Sequence, residues 1–381
     1  MSQSAIERLT RNAVHVYPEG GLAERLKLGR PLRVKLGIDV TSPDIHVGRA
    51  IPLQRMRAFQ DEGHIGVLIV GDYTTRIGDP SGRSAERPIL SGEEIDRNAR
   101  TYVAQAFQII DPARTEVRFN GEWLSTLTFA DVVRLTRTLT VAQLLERDDF
   151  AKRVAAGHPV SVSELLYPLM QAYDSVAIEA DVELGGTDQL YNLLAGRTVM
   201  EAYDLTPQIV LTTPLLLSWD GAKMSSSVGN NIPLTAAPEE QFGRTMRIPD
   251  DQLGEWYRLV VERDVPEGEP MEAKLELARF IVARSHGAEA AALAEAHFTR
   301  VVREGGAPDE VAELPLEPGD PLHLPAVLAT AFGLSTSEAR RLIAQGGVKV
   351  DGEVVASLDL ARDVLEGAVV QAGKRRFVRL V

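Results

Sequence analysis

Two segments of the 381-residue sequence carry residue types that bind phosphate. In the first, residues 36–49 (LGIDVTSPDIHVGR), a turn leads into His46 and Gly48 at the start of a helix. A helix N-terminus offers unpaired N–H groups to an anion, glycine lets a nucleotide approach the backbone, and histidine can donate to a phosphate oxygen. Such a turn is also common without a ligand, so this segment alone leaves both interpretations open.

The second segment, residues 220–231 (DGAKMSSSVGNN), is small, polar and rich in hydroxyls, with Lys223 as its single cation. A mobile loop of this kind can close an ammonium over a polyphosphate and open again. A solvated loop with an exposed lysine is the simpler interpretation of the segment by itself. The sequence has no Walker-type GxxxxGK, GxGxxG or GxSxG motif, so the commonest phosphate and hydrolase signatures are excluded.

A polar stripe is predicted on one helix, residues 162–178, where Tyr167, Gln171 and Asp174 recur at i, i+4 and i+7. At about 3.6 residues per turn, these side chains lie within about 60° of arc on the helix surface. The stripe can line a pocket, although a solvated face is its more usual meaning. Pro168 inside this segment predicts a kink or a restart of the helix.

Two further turns place acids where a small ligand could bind. Residues 184–197 (LGGTDQLYNLLAGR) put Asp188 and Gln189 at a strand-to-helix turn after two glycines. An acid at such a turn can bind ribose hydroxyls, while the glycines let the sugar approach. Residues 78–82 (GDPSG) form a turn by composition, and Asp79 there is free to pair with an ammonium group.

These segments need a parallel sheet to position them. Residues 33–38 alternate between apolar and polar like a strand, and residues 66–70 (GVLIV) are typical of a buried strand. Between them Ile51, Met56 and Phe59 keep helical spacing. The order strand, helix, strand predicts a parallel α/β sheet, and the carboxyl edge of such a sheet is where ligands bind.

The rest of the chain is mostly helical until a linker and a small last domain. Periodicity predicts helices over residues 92–108, 129–156, 162–178, 187–203 and most of 238–302, and short strands over 116–119 and 182–184. Residues 304–321 hold four prolines, six acidic residues and no lysine or arginine, which favours an extended linker. Residues 324–355 then predict helix, turn, helix and a tight hairpin through Asp351 and Gly352.

The composition excludes several classes of protein. With 44% hydrophobic and 25% charged residues the chain is globular, and its length indicates about two or three domains. The absence of cysteine rules out disulfides, thiolate zinc sites and a cysteine nucleophile, and it suits a reducing cytoplasm. Neither a secretory segment nor an apolar run of about 20 residues is present, so we expect a soluble, cytoplasmic protein that does not bind membranes.

The net charge of −13 argues against a nucleic-acid partner, but the charge is unevenly distributed. Residues 322–381 hold eight basic and six acidic side chains, so this tail carries +2 and the rest of the chain −15. A tail that differs in sign from the body can still contact nucleic acid.

HVGR at 46–49 and KMSSS at 223–227 resemble, in this order, the two signatures of class I aminoacyl-tRNA synthetases. The segments LGIDVTSPDIHVGR, GDPSG, LLYPLMQAYD, GGTDQ and KMSSS are similar to bacterial tyrosyl-tRNA synthetases along nearly the whole chain. The resemblance implies that tyrosine and ATP, the latter with Mg²⁺, form tyrosyl-adenylate and pyrophosphate. It also implies that tyrosine then passes to the terminal adenosine of tRNA(Tyr).

The resemblance implies an α/β fold with a Rossmann-like parallel-sheet catalytic domain and a helical insertion, then an α-helical domain and a small α+β RNA-binding domain. The implied boundaries are 1–232 for the catalytic domain, with the insertion at about 121–200, then 233–303 for the helical anticodon-side domain, 304–321 for the linker and 322–381 for the RNA-binding domain. The family usually forms homodimers through the insertion, so we expect a homodimer.

The resemblance also assigns roles to single residues, and none of them is expected to hold a resident metal ion. The implied catalytic residues are Thr41, His46, Arg49 and Lys223. The implied ATP-binding residues are Gly37, Asp39, His46, Gly48, Gly186, Asp188, Lys223, Met224 and Ser225. The implied tyrosine-binding residues are Asp79, Tyr167, Gln171, Asp174 and Gln189, with Asp174 facing the phenolic hydroxyl.

Three residues depart from the family pattern. Arg49 stands at the second histidine of the first signature, and Ser226 at the second lysine of the loop. We hypothesise that Arg49 supplies the positive charge that the loop has lost. Lys35 stands where many bacterial members have a tyrosine, which leaves one side of the phenol pocket without an assigned residue.

The tail and the signatures leave alternatives open. Helix, turn, helix in the tail first suggests DNA binding, but the hairpin favours the RNA-binding module of the fourth small-subunit ribosomal protein, which residues 324–355 resemble. DNA is therefore not an expected partner. The side chains expected to face tRNA phosphates are Arg340, Arg341, Lys374, Arg375 and Arg376.

Two other functions also stay open. Tryptophanyl-tRNA synthetases share the architecture and both signatures, but they need no carboxylate aimed at a phenol, so Asp174 favours the tyrosine enzyme. A non-catalytic RNA-binding paralogue is the other alternative, because both signatures are altered and a basic tail is present.

Overall fold

The computed structural model describes residues 3–78, 90–303, 311–373 and 376–381. The chain divides into two compact units, Met1–Ala236 with Arg247–Ala273, and Ala237–Met246 with Lys274–Val381. The domain boundaries expected from the sequence remain predictions beside this division.

A six-stranded sheet forms the centre of the first unit. In chain order its strands are β1 (His15–Tyr17), β2 (Arg33–Ile38), β3 (Ile65–Val70), β4 (Thr115–Phe119), β5 (Val182–Gly186) and β6 (Ile209–Thr213). Their spatial order is β1-β6-β5-β2-β3-β4, and every neighbouring pair is parallel except β1 with β6. The predicted parallel α/β sheet is confirmed, whereas β1 and β6 lie outside that prediction.

The order of the strands creates a place for a ligand. After β2 the chain adds β3 and β4 on one side, and it later adds β5 and β6 on the other side. The direction of strand addition therefore switches between β2 and β5. Open parallel sheets bind ligands in the crevice at the carboxyl ends of the strands at such a switch point.

Most of the remaining described residues of both units are helical. The helices are α1 (Gln3–Leu9), α2 (Gly21–Leu26), α3 (Val47–Asp61), α4 (Gly92–Ala106), α5 (Gly121–Leu124), α6 (Phe129–Thr136), α7 (Val141–Leu145), α8 (Asp148–Ala155), α9 (Val162–Ala177), α10 (Leu190–Ala202), α11 (Pro238–Thr245), α12 (Leu253–Trp256), α13 (Pro270–His286), α14 (Ala288–Phe298), α15 (Leu324–Phe332), α16 (Thr336–Ala344) and α17 (Arg362–Leu365). Within the described ranges, no helix has both the length and the apolar character needed to span a membrane.

One helical prediction is wrong in detail, and another is wrong in part. The single helix predicted over residues 129–156 is three helices, α6 to α8. The capping box of Thr140 starts α7, and Arg147 is the N-cap of α8 without a side-chain capping hydrogen bond. Helix α9 runs through Pro168, so the restart is excluded, and the kink stays a prediction. Its apolar side packs on α10, and this packing holds the helix together across the proline; the buried residues of this cluster include Leu169, Ala172, Ala195 and Val199.

The second unit combines a helical part with a small β-rich tail. In the helical part, Phe242 of α11 packs in one cluster with buried residues of α13 and α14. The tail strands are β7 (Glu313–Leu314), β8 (Leu322–His323), β9 (Val348–Val350), β10 (Glu353–Val354), β11 (Asp359–Leu360), β12 (Val369–Ala372) and β13 (Arg376–Leu380). Helices α15 and α16 precede the hairpin of β9 and β10, whose turn residues Asp351 and Gly352 have φ of 47° and 87°. The predicted α+β tail is confirmed.

Of the linker expected at residues 304–321, residues 304–310 lie outside the described residues, and the described part contains a short strand. Its residues Glu313 and Leu314 form β7, which pairs in parallel with β13 at the edge of the tail sheet. An edge strand presents unpaired N–H and C=O groups, and an extended segment can satisfy them whatever its composition. The acidic, proline-rich composition predicts the extended backbone but not this pairing.

Candidate active site

A cavity of about 660 Å³ opens at the carboxyl ends of the central strands. Strand ends, the first turn of α3, one side of α9 and the loop after β6 line it. The predicted catalytic, ATP-binding and tyrosine-binding residues that line it are Gly37, Asp39, Thr41, His46, Gly48, Arg49, Tyr167, Gln171, Asp174, Gly186, Asp188, Gln189, Lys223, Met224 and Ser225. Asp79 lies outside the described residues. The histidine turn, the polar stripe of α9 and the serine-rich loop therefore meet at one cavity.

His46 is the N-cap of α3, and its geometry fixes which nitrogen can donate. Its Nδ1 accepts the backbone N–H of Arg49 at 3.3 Å. Burial lowers the pKa of His46 to about 3, with a further contribution from the charges of Arg49 and Lys223. The ring is therefore neutral near pH 7, and because Nδ1 is an acceptor the proton lies on Nε2. A side chain at position 48 would come within 3.3 Å of this ring, so Gly48 leaves room for it.

Lys223 reaches across the cavity to the predicted ribose-binding acid. Its Nζ lies 2.5 Å from Oδ2 of Asp188, and the lysine side chain is 51% exposed. Gly186 stands beside this acid, because a Cβ there would be 2.6 Å from Oδ1 of Asp188. The pair places a cation and an acid at the mouth of the cavity. A bound nucleotide could replace the contact between them.

The loop of residues 220–231, which we call the lid, is held in shape by Asn230. The side chain of Asn230 donates to Asp220 at 3.0 Å, and its Oδ1 accepts the backbone N–H of Ser225 at 2.8 Å. It also donates to the carbonyl oxygen of Lys223 at 3.3 Å. Asn230 is 4% exposed, so these bonds form inside the lid. The lid therefore has a defined fold of its own, although it is exposed at Lys223.

Asp174 is a fully buried carboxyl at the inner end of the cavity. Oδ1 accepts the indole N–H of Trp123 at 2.8 Å, and Oδ2 accepts the amide of Asn120 at 3.4 Å. Burial raises the pKa of Asp174 to about 7, against the opposing effects of the Lys35 ammonium and of the two hydrogen-bond donors. A carboxyl held in this way can accept a hydrogen bond from a phenol when it is ionised.

Tyr167 belongs to a short chain of hydrogen bonds on the same wall. Its hydroxyl donates to Oδ2 of Asp39 at 3.0 Å, and Thr74 donates to Oδ1 of Asp39 at 2.8 Å. The amide of Asn120 donates in turn to the hydroxyl of Thr74 at 3.0 Å. The structure therefore brings Asp39, expected on the ATP side, against Tyr167, which was expected on the tyrosine side.

Lys35 does not line the cavity, and it lies beneath it. The side chain is fully buried, and its Nζ contacts the carbonyl oxygen of Gln171, the hydroxyl of Ser175 and Oε1 of Glu183. At position 35, where many members of the family have a tyrosine, this chain therefore has a buried cation that is paired with an acid.

Arg49 and Ser226 both line the cavity. The guanidinium of Arg49 lies 3.4 Å from the hydroxyl of Ser42 and 5.9 Å from the ring centre of Tyr102. Ser226 accepts the side-chain amide of Asn231 at 3.2 Å. The arginine and the serine thus share one site, which is the arrangement that the charge-compensation hypothesis requires.

The residues that support the site and were not identified from the sequence include Asn120, Trp123, Thr74 and Glu183. Asn120 and Trp123 follow β4, and Thr74 follows β3, so all three lie at the carboxyl edge where parallel strands end. Asn120-Gly121 directly after a predicted strand is the signal that could have identified the first. Glu183 gives no such signal, because a single acid inside a short apolar strand is indistinguishable from an edge residue until its partner is known.

The predicted tRNA-binding residues belong to the second unit. Arg340 and Arg341 lie on α16 and Arg376 starts β13, and all three are exposed. Lys374 and Arg375 lie outside the described residues. The three described arginines are therefore accessible to a polyanion.

Comparison with known proteins finds relatives for residues 27–303 and for residues 324–360. A model of the family described as tRNA synthetases class I (W and Y) matches residues 27–303, and a model of the S4 domain matches residues 324–360. The tyrosine–tRNA ligase of Thermotoga maritima is 46% identical over 393 residues, covering 99% of this chain and 97% of the relative. That of Moorella thermoacetica is 47% identical over 390 residues, covering 98% of this chain and 94% of the relative.

Solved structures share the fold. Tyrosyl-tRNA synthetase from Archaeoglobus fulgidus, complexed with L-tyrosine, matches with a TM-score of 0.62 at 20% identity, covering 77% of this chain and 99% of that one. A C-terminally truncated mitochondrial tyrosyl-tRNA synthetase of Coccidioides posadasii matches with a TM-score of 0.61 at 22% identity, covering 77% and 92%. At these identities the likeness shows the fold alone.

Proposed function

Since the chain belongs to the class I tRNA synthetases for tryptophan and tyrosine, and within them to the tyrosine–tRNA ligases, we propose how its cavity carries out that reaction. The enzyme joins tyrosine to ATP as tyrosyl-adenylate with release of pyrophosphate, and then transfers tyrosine to the 3′ end of tRNA(Tyr). The observation that supports this function most strongly is the similarity to the tyrosine–tRNA ligase of Thermotoga maritima, which is 46% identical over 99% of this chain.

In the first step, a carboxylate oxygen of tyrosine attacks the α-phosphorus of ATP, and the bond from that phosphorus to pyrophosphate breaks. The nucleophile belongs to the substrate, so the protein has only to position the reactants and stabilise charge. Lys223 and Arg49 supply positive charge to the polyphosphate, neutral His46 donates through Nε2, and Thr41 adds a hydroxyl. The Mg²⁺ that accompanies ATP enters as part of the substrate.

The nucleotide enters along the glycines at the strand ends. Gly37 and Gly48 let the nucleotide approach the backbone. Apart from the two chain neighbours of Gly37, no atom of the described residues lies within 4 Å of where a Cβ of Gly37 would stand. Asp188 takes the ribose hydroxyls, which releases Lys223 to the polyphosphate. Met224 and Ser225 then line the ATP side from the lid.

Tyrosine binds between the stripe of α9 and the strand ends. Ionised Asp174 accepts the phenolic O–H in addition to the donors Trp123 and Asn120, so a substrate without that hydroxyl leaves a buried carboxylate with one hydrogen bond fewer. The oxygens of Tyr167 and Gln171, with Asp79, take the ammonium, and Gln189 lies near the carboxylate. The buried acid is what favours tyrosine over tryptophan as the substrate.

In the second step, a hydroxyl of the terminal adenosine of tRNA attacks the carbonyl carbon of tyrosyl-adenylate, and AMP leaves. The basic side chains of the tail bind tRNA phosphates. The S4 similarity over residues 324–360 supports this role.

A second copy of this chain is the proposed partner of the insertion. Large apolar side chains are exposed there, with Phe129 83%, Val162 73% and Val141 62% exposed. Exposed apolar surface of this kind is usual at a protein interface. We place this homodimer in the cytoplasm, in keeping with relatives that are bacterial tRNA ligases.

The test is exchange of labelled pyrophosphate into ATP. Exchange that depends on tyrosine supports the assignment, exchange that depends on tryptophan would support the sister activity, and no exchange with either would indicate an RNA-binding protein without catalysis. Lys223→Ala should slow exchange by at least about tenfold while tyrosine affinity changes by less than about twofold, because the cation acts on the transition state. Equal losses in both would contradict that role.

A further inference from the structure

A buried ion pair lies beneath the tyrosine side of the cavity. Lys35 of β2 and Glu183 of β5 are cross-strand partners, and their side chains are 0% and 1% exposed. Nζ of Lys35 lies 2.9 Å from Oε1 of Glu183. Taking two charges out of water is costly, and an apolar pair of similar volume is often as stable. Stability alone therefore does not account for this pair.

The ammonium of Lys35 ties the sheet to helix α9. It donates to the carbonyl oxygen of Gln171 and to the hydroxyl of Ser175, both at 2.7 Å. With Glu183, these acceptors satisfy the three N–H donors of an ammonium. Two of the three acceptors belong to α9, so the lysine fixes that helix at the turn which carries Gln171 and Asp174.

The carboxylate of Glu183 fixes the side chain of Gln171. Nε2 of Gln171 donates to Oε1 of Glu183 at 3.2 Å. An ionised carboxylate can only accept, so the amide turns its NH₂ group to Glu183 and its oxygen away. Since Gln171 lines the cavity, that oxygen is the end left for a ligand. The other oxygen of Glu183, Oε2, accepts hydrogen bonds from the hydroxyl of Ser175 at 3.3 Å and from the side-chain amide of Gln208.

We propose that Lys35 and Glu183 form a positioning pair for the amino group of tyrosine. The pair presents the amide oxygen of Gln171 to the substrate ammonium and excludes the flipped amide, which would repel it. This inference rests on the proposed function, because it assigns Gln171 to the substrate ammonium. Lys35 therefore acts on the amino group of tyrosine through α9, in addition to the effect of its charge on the pKa of Asp174.

The experiment compares three ligands that differ in their charged groups. L-tyrosine carries ammonium and carboxylate, tyramine carries only the ammonium, and 3-(4-hydroxyphenyl)propanoate carries only the carboxylate. In Lys35→Met/Glu183→Leu, we expect the Kd of tyrosine and of tyramine to rise by at least about tenfold, the effect of losing a hydrogen bond to a charged group. Removal of Lys35 also favours the neutral form of Asp174, which affects all three ligands alike through the phenol, so the Kd of the propanoate measures that shared effect. It should rise at least about tenfold less than the Kd of tyrosine or of tyramine, since the propanoate makes no use of Gln171.

Glu183→Gln is the milder second variant, which keeps the volume and lets the amide of Gln171 take either orientation. It should show the same ligand pattern with a smaller loss. The matched control is Arg153→Met/Glu164→Gln, which removes another buried ion pair, with side chains 6% exposed and away from the cavity lining, and keeps at position 164 a side chain that can complete the capping box of α9. All three affinities should stay within about twofold of the parent chain in this control.

Two results would overturn the positioning role. One is an equal loss for all three ligands, which would mean a general collapse of the pocket. The other is an unchanged affinity for tyrosine in both variants. Pyrophosphate exchange by the parent chain is measured separately, so a failure of the proposed function is distinguishable from a failure of this inference.

Discussion

Asp174 is the residue whose ionisation decides how the cavity treats a phenol. It is fully buried, and burial raises its pKa to about 7 while Lys35, Trp123 and Asn120 favour the charged form. Glu183 adds a smaller effect in the same direction as burial. At neutral pH the carboxyl therefore stands near its midpoint, where small changes in its surroundings change its charge.

The pH dependence of tyrosine recognition follows from the raised pKa of Asp174. We expect kcat/KM for tyrosine in pyrophosphate exchange to fall by about tenfold for each pH unit below about 7, and to level off above it. Trp123→Phe removes a donor to the carboxylate, so its profile should move to higher pH. Profiles measured between about pH 5 and 9 test both statements, and a flat profile in the parent chain would contradict them.

The same titration acts on stability with the opposite sign. The folded-state pKa of Asp174 is raised, so its contribution to the free energy of unfolding is fully present below the usual pKa of about 4 and is lost as the pH rises through about 7. We expect Asp174→Asn to raise Tm at about pH 8 and to leave it nearly unchanged at about pH 4. Thermal melts without ligand measure this, and a Tm difference that does not grow with pH would count against it.

We expect the effects of substitutions at Arg49 and Ser226 to depend on each other. Both line the cavity, and we expect the arginine to provide the charge that a lysine in the lid would otherwise provide. Arg49→His should lower the exchange rate by at least about tenfold, and Ser226→Lys in the same chain should restore much of it. A double-mutant cycle measures the coupling. Full activity of the single variant Arg49→His would defeat the hypothesis.

Among the structural elements, the lid leads to a prediction because Asn230 forms hydrogen bonds inside it. Asn230 bridges Asp220, the carbonyl of Lys223 and the N–H of Ser225. In Asn230→Ala we expect kcat for exchange to fall by about tenfold with tyrosine affinity unchanged, because the lid loses the shape that presents Lys223. Val228→Ala, at a lid side chain that is 69% exposed, is the control and should behave like the parent chain. Equal effects of the two variants would argue against an anchoring role.

The elements also show what the sequence alone could predict. Helix α9 and the strands β2 and β3 follow from local periodicity, because each buries a regular set of apolar residues. The edge strand β1 has three residues and gives no periodic signal. The stripe on α9 was visible in the sequence, but the partners of Asp174 were not, since Trp123 and Asn120 reach it from a segment about fifty residues away.

The same limit applies to Lys35. From the sequence it is an exception in a family pattern, and a lysine in a strand usually marks an exposed position. Only the register of β2 with β5 shows that Glu183 is its neighbour. Pairings between strands that are distant in sequence depend on the fold as a whole, so the function of such a residue follows from tertiary structure.

At the level of the whole molecule, the charge distribution separates catalysis from RNA binding. The body carries −15 and residues 322–381 carry +2, so an attraction to phosphates has to come from local groups. Arg340, Arg341 and Arg376 are exposed in the tail and available for such contacts. Each phosphate contact adds to the salt dependence of binding, because counterions are released when it forms.

The last prediction uses that salt dependence. In the variant Arg340→Ala/Arg341→Ala/Arg376→Ala, we expect weaker tRNA binding and a plot of log K against log salt that is shallower by about one unit for each phosphate that the variant no longer neutralises. Tyrosine-dependent pyrophosphate exchange does not involve tRNA and should be unchanged. Arg57→Ala, at an exposed arginine of the body, is the control and should leave the slope as it is. An unchanged slope in the triple variant would mean that these arginines do not bind phosphates, and a loss of exchange activity would mean that the substitutions had damaged the fold.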